Sequence, residues 1–128
     1  MLKGELKMAI NYEAEIANLN NALDNLDREI TDLAESIRQG NTILFSCADR
    51  KGTQAIKSMF DLLFAESKTD YVALTAFVIA LNWKIWEHYE KGNEEYARLY
   101  NELWEQADGY ACDNLKGEEL DYFYATTD

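Results

Sequence analysis

Near the N-terminus, apolar residues recur at alternating spacings of three and four: Ala9, Tyr12, Ile16, Leu19, Leu23, Leu26, Ile30, Leu33 and Ile37. Those steps return to one face of a helix, so the run predicts a long amphipathic helix over residues 8–39 carrying a heptad seam. With Ile16 at position a, the a residues are mostly Ile and the d residues mostly Leu, a pairing that favours a parallel dimer. Asn18, Asn20, Asn21 and Asn25 fall off the seam, so no buried polar residue fixes partner number or orientation. Thirty residues of helix reach about 45 Å. Such a helix protrudes, dimerises, or lies along other helices, and the seam Ile16, Leu19, Leu23, Leu26, Ile30, Leu33 and Ile37 suits a contact between copies or antiparallel packing within one chain.

Gly40-Asn41 reads as the C-cap of that helix. The segment Thr42–Ala48 fits an irregular or helical stretch better than a lone strand. Asp49-Arg50-Lys51-Gly52-Thr53 reads as a turn, with Thr53 as cap of a second helix whose apolar stripe is Ile56, Met59, Phe60, Leu63 and Phe64. Thr69 or Asp70 caps a third helix, about Tyr71 to Lys91, closed by Gly92. This third helix is apolar almost all round, which predicts a central position and burial of Phe77 and Trp83. Asn93 caps a fourth helix with a buried face from Tyr96 to Ala111 that includes Trp104, and Glu118–Tyr124 forms a short fifth. The expected fold is all-α: a bundle of about five helices, with residues 40–128 as its compact domain.

Composition agrees. The chain has 128 residues, 48% of them hydrophobic, six glycines and no proline, enough for one packed domain of uninterrupted helices. Met8 follows Lys-Gly-Glu-Leu-Lys, codons for which can hold a ribosome-binding sequence, so residues 1–7 are expected to be translated leader or a frayed terminus. The opening residues lack the apolar core of a secretory signal. Tyr71 to Trp83, the most apolar run, is shorter than the ~20 residues that span a bilayer. A cytoplasmic protein with no membrane role is expected, and Cys47 and Cys112, far apart and outside any CxxC, fit reduced thiols there.

The net charge of −12 disfavours direct contact with nucleic acid or anionic lipid and favours a protein partner with a basic surface. Its distribution is uneven. Residues 8–37 hold one basic and seven acidic groups, residues 38–70 five basic and four acidic, and residues 87–128 three basic and twelve acidic. The C-terminal third is therefore the candidate acidic surface, through Glu95, Glu102, Glu105 and Asp108 on the fourth helix and Glu118, Glu119 and Asp121 beyond it. Arg98 interrupts that stripe. Tyr122, Phe123 and Tyr124, near the terminus, are candidate aromatic contacts to a partner.

Chemistry is harder to find. No Walker loop, GxSxG or GxGxxG occurs, and the single histidine, His88, has Lys84, Ile85, Lys91 and Gly92 at the helical spacings where a metal site needs ligands. No catalytic residue, metal or cofactor is expected, and His88 reads as a surface or aromatic-packed side chain. Arg50 and Lys51 before a helix N-terminus read as an exposed basic turn rather than an anion site. The expectation is a non-enzymatic, acidic protein-binding module. In general type it resembles accessory proteins of phages and mobile elements, some of which inhibit nucleic-acid-handling proteins by imitating phosphate charge. The alternative is a structural adaptor, a homodimer joined through the N-terminal coiled coil.

Overall fold

The computed structural model describes residues 26–127, with side chains from Asp32 onward. Five helices and no strand occur among the described residues: α1 Leu26–Asp49, α2 Thr53–Ser67, α3 Tyr71–Glu90, α4 Glu94–Asn114 and α5 Gly117–Thr127. The seam positions Ile16, Leu19 and Leu23 and the expected leader lie outside the described residues. Leu26 and Ile30 fall on α1, Leu33 on it is buried, and Ile37 is half-buried. Ser36–Asp128 forms one compact unit.

The expected stop at Gly40-Asn41 does not occur: α1 runs nine residues past Gly40, to Asp49. Glycine inside a helix costs only about 1 kcal/mol. The stretch beyond it carries Phe45 and Ala48, both buried in the core, and their burial outweighs that cost. Within this stretch the Thr42 hydroxyl donates back to the Arg38 carbonyl at 2.9 Å. The chain then turns at Gly52, whose φ of 115° no ordinary side chain adopts comfortably. Gly52, not Thr53, is the N-cap of α2, and no side chain caps that helix.

Asp70 caps α3 by accepting from the Val72 amide at 3.0 Å. The other end of α3 closes as a Schellman motif: Asn93 N–H bonds the His88 carbonyl at 2.9 Å, and Gly92 N–H that of Tyr89 at 3.0 Å, with Gly92 at φ 76°. Asn93 then turns its side chain to the Tyr96 amide and starts α4, so α3 and α4 form a tight antiparallel hairpin. Glu94 and Glu95 in the first turn of α4 suit its positive end.

Helix α3 is central, packing against α2, α4 and α5. Phe77 is its hub: the rings of Phe45, Phe60 and Phe64 lie 5.5–5.9 Å from it, one from α1 and two from α2. Leu74, Val78 and Leu81 complete the buried face. Burial does not extend all round, however. Trp83, expected inside, is 55% exposed. Positions 77, 81, 84 and 88 share one stripe, whereas 79, 83, 86 and 90 fall on the opposite side of a 3.6-residue turn. Trp104 is half-buried, and α5 pins Phe123 into the core with Leu120 partly covered.

Candidate functional site

The buried stripe of α3 carries two residues that a hydrophobic core does not ordinarily contain. Lys84 is wholly buried and His88 nearly so. A buried ammonium needs counter-charge and hydrogen-bond acceptors, and α1 together with the next turn of α3 supplies both. Lys84 Nζ lies 2.8 Å from Asp49 Oδ2 and 3.0 Å from Glu87 Oε1, and donates to Ser46 Oγ at 3.1 Å. Asp49, at the last position of α1, collects further donors. Tyr100 OH of α4 donates to its Oδ1 at 2.5 Å, and His88 Nε2 lies 2.8 Å from its Oδ2. Tyr96 OH donates to the Asp49 carbonyl at 3.3 Å. His88 Nδ1 has no hydrogen-bond partner among the described residues, which suits the tautomer with its proton on Nε2. The imidazole stacks on Tyr100 and meets the edge of Tyr96, so the aromatic-packed reading of His88 describes its surroundings.

Electrostatics follow from this geometry. Burial alone would raise the Glu87 carboxyl pKa, but hydrogen bonds and charge from Lys91 and Lys84 prevail and hold it below the ordinary value. Lys91, on the surface, is raised by its bond to Glu87. Tyr100 is pushed far upward, first by burial and then by its bond to Asp49 and the nearby carboxylates. Asp49, Glu87 and His88 bring potential metal-ligand atoms within 4.8 Å of one another. Lys84 Nζ sits among them at contact distance and supplies the positive charge that a cation would. The arrangement is an internal ion network joining α1, α3 and α4.

The outer side of α3 is of a different kind. Trp83, Trp86 and Tyr89 are 55%, 58% and 57% exposed, and the rings of Trp86 and Tyr89 meet at 5.8 Å. Glu87 and Glu90 border the two tryptophans around an open groove of about 430 Å³. One face of Trp83 already carries a cation: the Arg38 guanidinium of α1 lies 4.1 Å from its ring centroid. Trp83 and Asn82 also line a second cavity, about 460 Å³, where α3, α4 and α5 meet. Its other walls include Trp104, Asp108 and Tyr124. The Asp108 pKa is raised by burial.

The acidic residues divide between these surroundings. Glu95, Glu102 and Glu105 of α4 are exposed, as are Glu118, Glu119 and Asp121 of α5. Asp108 turns aside from them into the cavity and is half-buried. Of the terminal aromatics, Phe123 is spent on the core, Tyr122 packs edge-on against Tyr71, and Tyr124 remains 47% exposed. Sequence reasoning missed the exposed stripe and the ion network. A signal for the second existed, since Lys84 and His88 continue the spacing of Phe77 and Leu81 on the core face.

No family model, curated protein or solved structure matches the chain. No described helix is long and apolar enough to cross a membrane.

Proposed function

We propose that the chain is an acidic protein-binding module whose contact surface centres on the outer face of α3. The observation that carries this reading is the row of Trp83, Trp86 and Tyr89, each more than half exposed. Tryptophan and tyrosine dominate binding energy where two proteins meet, and leaving three such rings in water on one helix is unfavourable unless a partner covers them. The bordering carboxylate Glu90, with the net charge of −12, favours a partner with basic surface and repels polyanions. Glu95, Glu102 and Glu105 on α4 and Glu118, Glu119 and Asp121 on α5 add long-range attraction. A nucleic-acid-handling protein, whose groove is basic, is the class of partner that such a surface would inhibit by charge mimicry.

The test is capture from the natural host at low salt, identification of the bound protein, and titration of purified components at two salt concentrations. Trp86→Ala should weaken binding by about 2 kcal/mol or more, a hot-spot magnitude. Glu102→Gln with Glu105→Gln should slow association and flatten the salt dependence while leaving the melt unchanged. Equal affinities for Trp86→Ala and wild type would remove the aromatic face as the contact surface. Equal salt slopes would remove the charge mimicry.

A further inference from the structure

We propose that the cavity between α3, α4 and α5 receives an arginine side chain of the basic partner, with the guanidinium against its aromatic walls and paired to Asp108. The inference rests on the protein-binding reading and names what one part of that surface recognises. Four aromatic residues line the cavity, Trp83, Trp104, Phe123 and Tyr124, and one carboxylate, Asp108, is set among them. Asp108 is half-buried yet makes no hydrogen bond or ion pair among the described residues. Partial burial raises its pKa, and a cation arriving there would stabilise the carboxylate.

Aromatic faces narrow the cation. Guanidinium is planar, weakly hydrated, stacks on rings and pairs with a carboxylate through two parallel N–H bonds. An ammonium is compact and holds its water more strongly. The molecule contains its own precedent, because Arg38 lies on the ring of Trp83, one of the cavity walls. The volume of about 460 Å³ falls within the usual range of ligand-binding clefts. Asn82 at the rim offers an amide oxygen to donors that Asp108 leaves free. The surrounding charge of −12 favours a cation in any case.

The experiment titrates the full chain with the blocked tripeptide acetyl-Gly-Arg-Gly-amide, its citrulline analogue and its lysine analogue. The three tryptophan indole N–H signals are followed by NMR. Saturable shifts are expected at Trp83 and Trp104 with the arginine peptide, and little response to citrulline, which has the same shape without the charge. Asp108→Asn should lower arginine affinity at least about tenfold, the scale of one charge-assisted bond. Tyr124→Leu, on an exposed ring of the last helix, should weaken it with the fold intact. Shifts confined to Trp86, equal binding of citrulline or lysine, or equal affinity for Asp108→Asn would each overturn the proposal. With the captured partner in hand, two failures are separable. A partner that tolerates Asp108→Asn but not Trp86→Ala overturns the arginine site alone, whereas one that tolerates Trp86→Ala removes the surface on which both readings rest.

Discussion

Replacing Lys84 with Met keeps the volume of the side chain while deleting its charge. Lys84 has no solvent exposure and holds Asp49, Glu87 and Ser46 at 2.8, 3.0 and 3.1 Å. The loss is shared unequally. Glu87 is one-third exposed and keeps Lys91 at 2.9 Å, so water and a second lysine screen it. The Asp49 side chain is only 14% exposed and keeps the hydrogen bonds of Tyr100 and His88, but it loses the lysine that neutralises it. Removing one partner of a buried pair costs about 3–5 kcal/mol. The two remaining donors place this case near the lower end, about 3 kcal/mol. Small domains hold only about 5–15 kcal/mol in total, so the effect is readily measured by urea unfolding followed through tryptophan fluorescence. The double variant Asp49→Asn with Lys84→Met should recover part of the loss, because it leaves no unpaired charge. A loss below about 1 kcal/mol for Lys84→Met alone would show that Lys84 reaches water in solution and that the ion network is not an interior one.

Two further perturbations separate the core from the seam. Leu81→Ala should cost about 2–5 kcal/mol in the same unfolding assay, since Leu81 is wholly buried on the central helix and the cavity has little means of closing; a loss under about 1 kcal/mol would make α3 peripheral. Leu26→Glu places a charge on the heptad seam. If the seam joins two chains, light scattering should show the mass falling to that of a monomer with the remaining helices folded. If it packs within one chain, cooperative melting should be lost, and an unchanged mass with an unchanged melt would refute both.

Much of the fold was legible because helices announce themselves locally. The Asp70 and Asn93 caps and the Gly92 closure were readable, since each depends on a few adjacent residues. The end of α1 was not. Gly40 looks like a stop, and only the burial of Phe45 and Ala48 by distant helices explains why the helix continues. Trp83 failed for a related reason. A helix apolar on every side says nothing about which side its neighbours leave uncovered, and the periodicity that separates 81 and 84 from 83 and 86 becomes informative only when the packing is known. Residues three and four positions from His88 reveal nothing of its principal partner, Asp49, which lies 39 residues distant in the chain. Asp108 shares helical spacing with Glu102 and Glu105, but it lies on the edge of that face and lines the cavity between α3, α4 and α5.

The hydroxyl of Tyr100 gives the protein a built-in alarm for alkali. Among the described tyrosines, Tyr100 alone is fully buried, and it donates its proton to Asp49, so a phenolate there would sit directly against a carboxylate. Its ionisation is raised in the folded state and reverts to an ordinary phenol, near pH 10, when the chain opens. The stability that this difference contributes is complete below that ordinary value and drains away as the pH climbs past it. An alkaline absorbance titration reports each phenol as it ionises. Tyr100 should follow only as the helices part, so its late share of the ultraviolet signal is a clock for the opening of the bundle.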